Sequence, residues 1–232
     1  MEVIRLNGGI INNLGRVALD TLKLLCFRQF RLDQSIFNWY LGFGLILTWL
    51  CGIGRYWDNP KAEIWQYLGL GSVVYIFVLA FVVWILIKPL GPKNWSYKNI
   101  LLFISLTSPP AILYAIPVEK FTDLDTAQSI NVWFLAVVAS WRVALFYRFL
   151  TNVAKLSGGT VLIATLLPLT LIVSALTALN LEHAVFEIMA GLDSEQTQND
   201  AAYFILILIT GFSVIAFPIL LISYFYKIGK RG

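Results

Sequence analysis

Six long apolar runs dominate the chain, and together they leave few folds open. They span residues 36–54, 64–87, 100–116, 130–150, 161–179 and 203–226, each 17 to 24 residues long. A helix needs about 20 residues to cross a bilayer's hydrocarbon core. Within lipid every backbone N–H and C=O must find an internal partner, which selects helices. Only 13% of the 232 residues are charged, about half the share in soluble domains. The expected fold class is therefore all-α: a polytopic membrane helix bundle of six transmembrane helices over 36–226. A segment 1–35 precedes it and a tail 227–232 follows.

The first 35 residues do not read as a span. Ile10, Ile11, Leu14, Val17, Leu22, Leu25 and Phe30 alternate with Arg16, Asp20, Lys23, Arg28 and Arg31. Helical spacing sorts them into an apolar and a basic side, the pattern of an amphipathic helix lying in the membrane interface. A short helix packed under the bundle fits the same pattern, and both readings stay open. No apolar core with a small-residue cleavage site opens the chain, so the first span is expected to act as its own insertion signal.

Charge gives an orientation. Arg5, Arg16, Lys23, Arg28 and Arg31 precede the first run, and Lys88, Lys93 and Lys98 fall in the second connection. Arg148 and Lys155 lie at the fourth connection, and Lys227, Lys230 and Arg231 in the tail. The alternate connections hold only Arg55, Lys61 and Lys120, yet they carry most of the acids. The positive-inside rule then puts both termini in the cytoplasm, as an even span number requires. The expected location is the cell (inner) membrane. The net charge of +4 is explained by anionic lipid headgroups at the cytoplasmic face, with no need for nucleic acid. Trp39, Trp57, Trp65, Trp95 and Trp133 sit near run ends, where aromatic belts form. The two cysteines, Cys26 and Cys51, make no disulfide framework. WYLGFG at 39–44 and WQYLGLG at 65–71 each carry glycines that allow close helix approach.

Polar residues inside the runs are the candidate sites. The third run contains Ser105, Thr107 and Ser108 followed by Pro109 and Pro110. The prolines cannot donate to the carbonyls of Ser105 and Leu106, so a break is expected there. Pro168 and Pro218 are expected to break the last two runs similarly. Arg142 lies inside the fourth run, which holds no carboxylate. A charge at that depth costs a few kcal/mol. Two readings compete: the guanidinium bonds the freed carbonyls of the third run, or the fourth helix starts near Thr126 and Arg142 snorkels to the inner headgroups. Thr170, Ser174 and Thr177 occupy one face of the fifth helix, as packing glue or as part of a solute path. His183 and Glu187, four apart in an acidic outer connection, are weak candidates for a metal, since a metal site needs more ligands. An amphipathic outer helix is the alternative there.

Enzyme motifs are sparse. With one histidine there is no HExxH, and neither a P-loop nor GxGxxG is present. GLGS at 69–72 lacks a histidine within a span to activate its serine. No catalytic residue and no cofactor are expected.

The middle of the chain resembles the Yip family, the Ypt/Rab-interacting membrane proteins, in its bacterial form. The likeness runs from the second to the fifth span through LGPKNWSYKN, SLTSPPAILYAIP, ASWRVAL and KLSGGTVLIATLLP. The family's DLYGP-like stretch is absent, and a sixth span and the acidic outer connection are additions. The resemblance implies a non-enzymatic multi-span protein. Two functions are carried forward: a non-catalytic membrane protein that organises a membrane site or binds a partner, a protein or a second copy of itself, or a small transporter or channel with a polar path near Arg142 and the broken third helix.

Overall fold

A computed structural model describes residues 2–28, 33–57, 62–181 and 200–230. Among them no strand occurs, and five unbroken helices are long and apolar enough to cross a membrane. A sixth candidate is a bent pair, Tyr97–Leu106 followed by Pro109–Lys120, with a 41° angle at the break. The chain is an all-α, multi-pass membrane helix bundle.

The helices in order are α1 (Glu2–Leu25), α2 (Phe37–Tyr56), α3 (Ile64–Tyr67), α4 (Leu70–Ile87), α5 (Tyr97–Leu106), α6 (Leu124–Asn152), α7 (Gly159–Ala178) and α8 (Asp200–Gly229). Short 3-10 turns lie at Gln34–Ile36, Lys88–Leu90, Pro109–Ala115 and Val118–Lys120. The chain divides into two compact units, Met1–Phe81 with Ser96–Ala115, and Val82–Trp95 with Ile116–Gly232.

The first unit is built on α2, which packs against α1, α3, α5 and the turn Pro109–Ala115. Helix α5 starts at Ser96, whose hydroxyl accepts from the Asn99 N–H at 3.2 Å, and everything from Ile100 to Ser108 is buried. The second apolar run is not one helix. Gly69 has φ +64°, and a Cβ there would stand 2.7 Å from Trp49 O and 2.8 Å from Ile53 N. Only glycine suits that left-handed, crowded position, so the run breaks after α3 and restarts as α4. Trp49 Nε1 donates to Leu68 O at 2.7 Å, tying the break to α2.

In the second unit α7 packs along α8, and α6 packs on both. Helix α6 begins six residues before the expected start at 130, because Asp123 caps it: its carboxylate accepts from the Thr126 N–H at 3.0 Å and hydroxyl at 2.8 Å. Helices α7 and α8 run through Pro168 and Pro218 without ending. The expected breaks are absent there: a proline removes one donor, and in lipid the neighbouring helical bonds have no water to exchange for. Large apolar side chains of α8, such as Ile215 and Ile222, are exposed, as a lipid-facing helix requires.

Candidate functional site

The expected break in the third run forms, and the Ser105 carbonyl and the neighbouring hydroxyls are bonded locally. Ser105 O accepts from the Ser108 N–H at 3.2 Å. The hydroxyl of Ser105 donates to Leu102 O at 2.9 Å and that of Thr107 to Ile104 O at 3.0 Å. Ser105, Thr107 and Ser108 are all buried, as is Pro110. Thr48 of α2 completes a polar seam: its Oγ1 lies 2.8 Å from Gly44 O and 2.8 Å from Ser108 Oγ. Buried Cys51 points its sulfur at Ser108 O, 3.6 Å away. Thr48 stands between Gly44 and Gly52, small residues at every fourth position, and Ser105 fills the space that a side chain on Gly44 would need. These hydroxyls satisfy helix carbonyls and one another, the chemistry of close helix packing.

At one end of the seam α1 docks on α2. Val17 is fully buried with Tyr40, Leu102 and Leu106. The Tyr40 hydroxyl donates to Asp20 Oδ2 at 2.6 Å, and Lys23 Nζ donates to Asp20 Oδ1 at 2.9 Å. Arg16 pairs with Asp33 at 2.9 Å. Burial pushes the Asp20 carboxyl up, but the Tyr40 hydroxyl and Lys23 outweigh it and hold the group below the usual carboxylate range. That docking leaves the rest of α1 uncovered. Ile11, Leu14, Leu19 and Leu22 remain exposed, and Arg16 and Lys23 flank them. The helix is therefore packed against α2 on one side, with apolar residues and the two cations on its free surface.

In the second unit Arg142 is half-buried on α6. Thr170 and Thr177 donate back to Leu166 O at 3.0 Å and Val173 O at 2.9 Å. Ser174 departs from that habit, and its Oγ is buried without a partner. Thr210 Oγ1 on α8 and Gln128 Oε1 on α6 share this condition. Sequence reading missed Thr48, Gln128 and Thr210: a lone polar residue in or beside an apolar run has no pattern to mark it, though the Gly44–Thr48–Gly52 spacing was a signal. His183 and Glu187 lie outside the described residues. Among the described residues no three His, Cys, Asp or Glu side chains gather in a metal-binding group. No protein-family model, curated protein or solved structure matches the chain.

Proposed function

We propose that the chain is a non-catalytic, Yip-like integral protein of the cell (inner) membrane. Both termini are cytoplasmic, and it organises a membrane site or binds a partner, a protein or a second copy of itself. The supporting observation is α1: Val17 and the Tyr40–Asp20 bond fix it to the bundle, while Ile11, Leu14, Leu19 and Leu22 stay exposed beside Arg16 and Lys23. A helix held this way lies at the headgroup boundary, its apolar stripe toward acyl chains and its ion-paired polar side toward the headgroups. Cys26 tests it, being exposed at the end of α1 where Cys51 is buried. An environment-sensitive label on Cys26 should report an apolar setting in nanodiscs and be quenched by lipid-borne quenchers. Emission equal to that of the label in water would rule out the interfacial placement.

The unpartnered oxygens of Ser174, Thr210 and Gln128 favour a second reading, a small transporter whose path they line. Solute flux in proteoliposomes that falls in Ser174→Ala and Thr210→Val would support it over the first.

A further inference from the structure

We infer that two turns at the basic end of the second unit form a binding site for the phosphate of an anionic phospholipid, with Lys93 and Lys155 as its paired cations. The turn after Lys88–Leu90 is bonded to the turn that ends α6: the Lys93 N–H donates to Ala154 O at 2.8 Å, and Asn94 Nδ2 donates to Val153 O at 3.5 Å. Lys155 follows Ala154 directly, so both lysines spring from one hydrogen-bonded crossing. Both are exposed, and neither makes an ion pair among the described residues. Every carboxylate among this unit's described side chains, on Glu119, Asp123 and Asp125, lies near the opposite end of α6. Among the described residues of this unit the crossing therefore has no counter-anion.

Lys155 adopts φ +55°, the left-handed conformation that closes a helix end, and the Leu156 N–H donates to Leu150 O at 3.0 Å, so the end of α6 that carries Lys155 is a defined turn. The aromatic surroundings select the source of the phosphate. The Trp95 ring packs on Phe149 at 6.2 Å between centroids, and its N–H reaches Trp84 O at 3.1 Å. Lys88 stands 5.0 Å from the centre of the Trp84 ring. Tryptophans so placed sit at the headgroup boundary, which sets the lysines at phosphate depth. The inference rests on the membrane reading but not on any role of α1, and its variants leave α1 intact.

The test uses the full chain in nanodiscs of phosphatidylcholine alone or with phosphatidylglycerol, read by melting temperature and by lipids retained in native mass spectrometry. Wild type should retain phosphatidylglycerol preferentially and melt higher in its presence. Lys93→Gln/Lys155→Gln should reduce that preference by about tenfold or more, each lysine near a charged surface being a substantial part of the attraction. Lys155→Gly suits the left-handed backbone, so it should fold at least as well as wild type and still lose much of the preference. Lys227→Gln/Lys230→Gln, an equal charge change elsewhere at the same end, should keep it. Equal losses in both double variants would reduce the effect to general surface charge and overturn the site. An equal shift from inorganic phosphate in phosphatidylcholine nanodiscs would overturn the lipid as its source.

Discussion

Gly44 is where one missing methyl group decides the packing of two helices. A Cβ at that position would stand 2.9 Å from Ser105 Cβ and 3.2 Å from its carbonyl carbon. Neither backbone can retreat, since Ser105 sits in a segment buried throughout. Gly44→Ala is expected to cost about 1–3 kcal/mol by overpacking. Gly42→Ala on the same helix meets nothing within 4 Å and should be neutral or gain up to about 1 kcal/mol in helix propensity. Melting temperatures in detergent separate the two, and equal losses would show that the close approach is not what matters. Asp20 gives a pH prediction at the same scale. Its folded value is depressed, so its contribution to α1 docking is complete above the ordinary aspartate value and is lost as pH falls through the lowered one. Protection of α1 amides, corrected for intrinsic exchange, should stay flat from neutral pH to about 5 and drop below about 4. In Asp20→Asn it should be weaker throughout and lack the acid step; an acid step of the same size in the variant would assign the effect elsewhere.

Helix α6 shows what an apolar run does and does not reveal about an element. Its hydrophobic part was legible, because a bilayer sets both length and composition of what crosses it. Its earlier start was legible only as one of two readings, the one that begins near Thr126, because polar residues extend a helix without an apolar run and the Asp123 cap is what fixes the end at Leu124. The break at Pro109–Pro110 was visible from the chemistry of proline, whereas the break at Gly69 was hidden: glycine is common in membrane helices, and only its neighbours force a positive φ. The true extent of α6 bears on Arg142. At 29 residues the helix is about 43 Å long, well beyond a hydrocarbon core of about 30 Å. It can therefore sit far enough toward its acidic end for Arg142 to snorkel. The competing bond to freed carbonyls has lost part of its basis, since Ser105 O accepts locally. Arg142→Lys is expected to keep stability within about 0.5 kcal/mol, a lysine snorkelling as well as an arginine. A Lys variant that melts as early as Arg142→Leu would instead indicate a bond that needs the planar guanidinium.

For the whole molecule the open count is whether the bent pair crosses the membrane or turns back. Crossing gives six passes and both termini on one side; a re-entrant pair gives five and splits them. Length favours crossing. The ten residues of α5 rise about 15 Å, and the seven of Pro109–Ala115 add about 14 Å, because a 3-10 helix climbs about 2.0 Å per residue. The path thus approaches the ~30 Å core with fewer residues than an α-helix would need. Charge favours it too. Lys88, Lys93 and Lys98 lie before the pair or in its first turn, and Glu119, Asp123 and Asp125 in its last turn or after it; a pair that turned back would put these two groups on one side and erase the positive-inside bias. Reporters fused near the N-terminus and at Gly232 should therefore both read cytoplasmic, and one inserted near Gln196 external. Moving the test inward, a reporter at Asp123 should read external as well. If Asp123 and the C-terminal fusion instead read cytoplasmic and external respectively, the Pro109–Pro110 break is the tip of a re-entrant loop, and the buried seam of Thr48, Ser105 and Ser108 lines that loop rather than a membrane-crossing helix.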